Sequence, residues 1–157
     1  MSNNIDSNKN NGWHIKASNR SNFEEKGEVL SQDAFINLVL QLYEAEEFPS
    51  STGWKGRIVN MLESSIPVIV EVFKLDGKEC TKESVKRSLS LPYLIKFSKD
   101  ERVPKDLREH LVAYLLTLPA FKNSQDEQAE ITIEQHGFLQ MNATCLLNQI
   151  DVPFVLE

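Results

Sequence analysis

WKGRIVNMLESSIPVIVEVF, from Trp54 to Phe73, is the most strongly patterned stretch of the chain, and the other segments are arranged around it. Ile58, Met61, Leu62, Ile66, Ile69, Val70 and Phe73 recur at the three- and four-residue steps of an α-helix, with Ser65 in the one polar slot. Val59, Val68 and Val72 add apolar surface off that row. A helix apolar on most of its sides belongs at the centre of a bundle. Pro67 removes one backbone hydrogen bond inside it, so a kink is expected there. Ser51 or Thr52 offers a cap at the start, and Gly77 a stop after Lys74 to Asp76.

Outward from this rod the chain reads as further helices. Towards the N-terminus, Ser31 is placed as a cap, with Asp33 in the first turn where the helix dipole favours an acid. Phe35, Leu38, Val39, Leu42 and Tyr43 form an apolar stripe running to about Glu46. The acidic run Glu44, Glu46, Glu47 reads as a solvated helix end, with a site for basic partner groups as the sharper alternative. Before that, residues 1–26 are rich in Asn, Ser and Lys and read as a flexible polar arm. Trp13, Ile15 and Phe23 are its apolar exceptions and possible anchors to the body.

Towards the C-terminus, Thr81 caps a short helix through Val85 to Leu89, and Ser90 and Pro92 open another to Phe97. Pro104 starts a helix whose core face is Leu107, Leu111, Tyr114, Leu115 and Leu118, stopped by Pro119. The last helix spans roughly Gln128 to Gln149, with Ile131, Phe138, Leu139, Ala143, Leu146, Leu147 and Ile150 as its apolar side. Gly137 in its middle costs about 1 kcal/mol relative to Ala and suggests another backbone passing close. No segment alternates convincingly at period two, so no sheet is expected. The reading is an all-α, irregular bundle of five to six helices around a long central helix at about 54–73. A helical domain covers 27–150, and 151–157 is a short tail.

With 157 residues, one domain with its own core is expected. A hydrophobic share of 41% and a charged share of 25% suit a soluble globular chain, and no apolar run reaches transmembrane length. The first residues lack the apolar core of a secretory signal. Cys80 and Cys145 make no disulfide framework and fit a reducing cytoplasm, both reading as small core residues. A net charge of -6 argues against non-specific binding to nucleic acid or anionic membrane.

The chain carries no phosphate-binding glycine loop, no dinucleotide fingerprint, no nucleophile elbow and no zinc-protease motif. His14, His110 and His136 lie far apart, and no spacing joins them to Cys80 and Cys145 as a metal site. Glu63 and Glu71 read as the polar side of the central helix, not as an acid–base pair. No catalytic, metal or cofactor residues are assigned, and the chain is not expected to be an enzyme on its own.

Three stretches carry a resemblance: LSQDAFINLVLQLYE (30–44), GWKGRIVNMLESSIPVIVEV (53–72) and EQHGFLQMNATCLL (134–147), with LREHLVAYLLTLPAF (107–121) between the last two. Together they resemble the all-α domain of type IV secretion coupling ATPases, in particular the conjugative and Dot/Icm-like branch. Trp54, Gly56, Arg57 and Pro67 match the family's helix opening, Tyr114, Leu115, Leu118 and Pro119 its middle helix, and Gln135, His136, Gly137, Phe138, Leu139, Gln140 and Met141 its late signature. Thr117 stands where serine is common. The resemblance implies a helical insertion in a hexameric RecA-like ATPase, on the cytoplasmic side of the bacterial inner membrane. Its implied work is to receive protein substrates, effector–adaptor complexes or relaxase–DNA complexes. No nucleotide loop accompanies these residues, so no ATPase activity is implied for them alone.

Trp54, Gly56, Arg57, Pro67, Gln135, His136, Gly137 and Gln140 are thus the candidate positions, structural or partner-binding. A structural role has the glycine admit a neighbouring helix and the histidine hydrogen-bond at that contact. Arg57 reads as a packing or salt-bridge residue more readily than as a DNA contact. A stand-alone helical adaptor or secretion chaperone is the alternative function, and a DNA-binding helical domain a third, weakened by the acidity.

Overall fold

In the computed structural model, residues 28–45, 54–123 and 127–157 are described. Among these described residues, six helices and three short strands run in the order β1 (Glu28–Leu30), α1 (Gln32–Ala45), α2 (Trp54–Leu75), β2 (Cys80–Thr81), α3 (Lys82–Ser88), α4 (Leu91–Ser98), α5 (Lys105–Leu115), α6 (Glu130–Leu147) and β3 (Phe154–Leu156). The fold is an all-α irregular bundle with a small sheet at one end.

The central rod is α2. It touches each of the other five helices and β2. Ile58, Met61, Leu62, Ile66, Ile69 and Val70 are buried, and so are Val68 and Val72 off the main row. This is the burial expected of a helix surrounded by its neighbours. The helix runs unbroken through Pro67. Gly77 ends the rod: with φ +69° it turns the chain so that its N–H donates to Lys74 O (3.1 Å) and Lys78 N–H to Phe73 O (2.8 Å). Those paired bonds satisfy carbonyls that the helix end would otherwise leave open.

Local chemistry sets the other boundaries. The Ala34 N–H donates to Ser31 Oγ (3.1 Å) at the start of α1, and the Ser84 N–H to Thr81 Oγ1 (3.2 Å) at the start of α3. Ser90 occupies the cap position of α4 but makes no side-chain capping bond there; Pro92 lies in the first turn. Pro104 is the cap residue of α5, which ends at Leu115, before Pro119. The anchors Trp13, Ile15 and Phe23, the caps Ser51 and Thr52, the acids Glu46 and Glu47 and His14 fall outside the described residues. Glu44, from the same acidic run, pairs with Lys55 on α2.

The sheet departs from the sequence expectation. Its order is β1-β3-β2, with β3 parallel to β1 and antiparallel to β2. The segment read as a tail therefore supplies the middle strand, and Val152, Phe154 and Leu156 are buried in the core. Pro153, which has no N–H to give, sits just before the strand and accepts from the Glu28 N–H (3.0 Å). Lys82 Nζ donates to Ile150 O and Lys86 Nζ to Asn148 Oδ1 (both 2.8 Å), fixing the approach to β3. Among the described residues no helix is long and apolar enough to cross a membrane.

Candidate partner-binding surface

The first turn of α2 places Trp54 and Arg57 three residues apart, hence on one side of the helix. Arg57 folds back so that its guanidinium lies over the Trp54 ring, 4.9 Å from the centroid. Trp54 in turn packs against Phe138 of α6, ring centroids 4.5 Å apart and planes at 52°. Cation, indole and phenyl ring form a continuous stack joining two helices that are far apart in sequence. Arg57 also borders a shallow depression with Gly56, Asn60, Tyr114 and Thr117.

Behind this stack lies a buried polar contact. The His136 Nε2 is 2.6 Å from the Leu89 carbonyl oxygen, which can only accept, so Nε2 carries the proton. Nδ1 is then the acceptor, and the Tyr114 hydroxyl donates to it over 2.7 Å. One imidazole thereby ties the end of α3 to α5 and α6. Burial, opposed by the bond to Leu89, lowers the His136 pKa and keeps the ring neutral. Burial likewise raises the Tyr114 phenol, with the Arg57 charge acting the other way. Nearby, the Thr132 hydroxyl donates to Pro119 O (2.6 Å), pinning the start of α6 to the turn after α5.

The outward face of α6 is apolar as well. Ile131, Ile133, Phe138 and Met141 are 45%, 53%, 40% and 58% exposed. The buried face consists instead of Thr132, His136, Leu139, Ala143, Leu146 and Leu147. Ile131 and Phe138, assigned to the core from the sequence, thus belong to the surface. Two inward polar residues took their place because each finds a partner there.

Of the candidate positions, Trp54 and Arg57 form part of the stack, Gly56 lines the depression beside Arg57, and His136 is linked to that depression through Tyr114. Pro67 does not join them: it lies about 15 Å further along α2, at ten residues of helical rise, beside Gln32, Ile36 and Leu40 of α1. Gln135 and Gln140 are half-buried on α6. Gly137 corrects an expectation. A Cβ built on it meets nothing described within 4 Å, and the same holds at Gly56. No close backbone approach requires glycine there. Cys145 is exposed rather than core, whereas Cys80 is buried and its thiol is pushed up to about 12 by that burial. His110 lies on the exposed side of α5. Among the described residues no three His, Cys, Asp or Glu converge as a metal site.

The residues the sequence reading passed over are Ile133, on the outer face, and Tyr114 as partner of His136. For Tyr114 a signal existed: a tyrosine within a leucine stripe needs a hydroxyl partner, and a histidine on a facing helix is a natural one. The chain matches no protein-family model, no curated protein and no solved structure.

Proposed function

We propose that this chain is the substrate-recognition helical domain of a type IV secretion coupling protein, working on the cytoplasmic face of the bacterial inner membrane. In this role it binds a protein substrate, an effector–adaptor complex or a relaxase–DNA complex and passes it to the secretion ATPase. It performs no chemistry of its own. The observation that carries the reading is the contact between its two most characteristic stretches: Trp54 and Arg57 of the helix opening stack on Phe138 of the QHGFLQM segment. Positions conspicuous in the sequence thus share one partly exposed surface, which suits a recognition role. The test is in the source cells. A photo-crosslinking amino acid in place of Met141 should capture a P-loop ATPase or a transferred substrate, identified by mass spectrometry. An antibody against this domain should also detect a band several-fold larger than 17.9 kDa. Crosslinks confined to proteins unrelated to transfer would refute the reading.

The exposed apolar residues of α6 favour a second reading, a free-standing adaptor or secretion chaperone that covers a partner helix. Light scattering after chromatography separates the two: the adaptor elutes as a dimer or with its client, the excised domain as a bare monomer.

A further inference from the structure

The outer face of α6 and the Trp54–Arg57 stack beside it present apolar area and a cation together. Arg57 makes no ion pair with any described carboxylate; its guanidinium lies on the Trp54 ring and its charge acts on Tyr114. Arg57 is half-buried already. A partner that covers Phe138 reaches the Trp54 ring packed against it, and with that ring the Arg57 guanidinium lying over it. An arginine so enclosed without an anion is strongly unfavourable, while one meeting a carboxylate gains charge-assisted, two-pronged hydrogen bonds. Asn60 and Thr117, lining the same depression, add polar groups around that point.

The flanking charges narrow the occupant. Glu130 and Glu134 lie exposed on the outer side of α6 near Phe138, and the whole chain carries -6. A polyphosphate backbone would meet these carboxylates along its length, so a nucleic acid fits poorly. A single carboxylate set in an apolar row fits well. The row Ile131, Phe138 and Met141 follows one helix face, which a second helix matches with residues at i, i+3 or i+4, and i+7.

We infer that this surface docks an amphipathic helix of a partner protein, its apolar row against Phe138 and Met141 of α6 and one Asp or Glu against Arg57. This rests on the recruitment reading above and deepens it by choosing a protein helix over nucleic acid as the contacted ligand.

A randomised helical-peptide display library, selected on the full-length protein, tests it. Enriched peptides should share the apolar row and an acidic residue at one fixed place in it. For the strongest such peptide, Glu→Gln in the peptide and Arg57→Gln in the protein should each reduce affinity about tenfold or more, and together no further, because they remove the same pair. Phe138→Asp, at an exposed position, should abolish binding while the thermal transition is retained. The inference is overturned if nothing enriches, if no fixed acid emerges, if the two losses add, or if Phe138→Asp is without effect. It is also overturned if a single-stranded DNA oligonucleotide displaces the peptide and itself loses affinity on Arg57→Gln, which assigns the face to nucleic acid. Losing the acid preference alone leaves the recruitment reading intact, since that reading stands on the crosslinked partner in cells.

Discussion

His136 is a buried imidazole with both nitrogens committed, one to a backbone carbonyl and one to a phenol. Removing the phenol oxygen strands Nδ1 as a buried acceptor, so Tyr114→Phe should cost about 1–3 kcal/mol in urea or guanidinium unfolding. The same ring makes stability depend on pH. Its folded pKa is lowered by burial, so below the ordinary histidine value of about 6.5 the unfolded chain binds a proton that the folded chain does not. Its contribution is complete above that value and declines as pH falls through the folded pKa, by at most about 1.4 kcal/mol per pH unit. Unfolding curves between neutral and mildly acidic pH should differ in slope between wild type and His136→Gln; equal slopes would remove the linkage. Gly137 predicts the opposite sign. With nothing described near its Cβ position, Gly137→Ala should stabilise by about 0.5–1 kcal/mol, through reduced backbone freedom in the unfolded chain. A loss on melting would show that something does approach there.

Helix α6 is where sequence and structure part most instructively. Helix α2 was legible almost residue by residue, because apolar positions so dense leave a helix little choice about burial. Helix α6 has apolar residues on two opposite sides, so its periodicity does not say which side turns inward. Ile131 and Phe138 look as suited to a core as Leu139 and Ala143; the difference is made by Thr132 and His136, whose partners Pro119 and Tyr114 come from another element. Periodicity records spacing along one helix and is blind to such partners. The assignment is checked by paired substitutions on the one helix. Met141→Ser and Ile133→Ser, at exposed positions, should shift unfolding free energy by no more than about 0.5 kcal/mol. Leu139→Ala, fully buried, should cost about 2–5 kcal/mol. The surface stack is legible in part: Trp54 and Arg57 stand out in the sequence as candidate positions, while their meeting with Phe138 across two helices has no local trace.

For the whole molecule, the unpredicted part is the sheet. Strands of two or three residues offer no run over which alternation can register, and their pairing is made between distant parts of the chain. Energetically β3 belongs to the core all the same. Phe154 packs on Phe35 of α1, ring centroids 5.6 Å apart, and Phe154→Ala should cost about 3–5 kcal/mol, as large as any truncation in α2. A cost under about 1 kcal/mol in chemical denaturation would mean that the sheet is an appendage rather than part of the core.

The strand order has a consequence for how the molecule is made. Because β3 lies between β1 and β2, those two strands have no direct contact in the sheet and wait for a segment that leaves the ribosome after all six helices. A chain that has emerged as far as about Gln149 therefore holds the bundle's helices while Phe35, Cys80 and the inner edges of both outer strands lack the strand that covers them. Such an intermediate exposes unpaired strand edges next to apolar surface, the combination that invites association with other chains. Pulse proteolysis of the released chain truncated after Gln149 should reveal a bundle that is cut readily near β1 and β2, whereas the chain that includes Leu156 should be protected there.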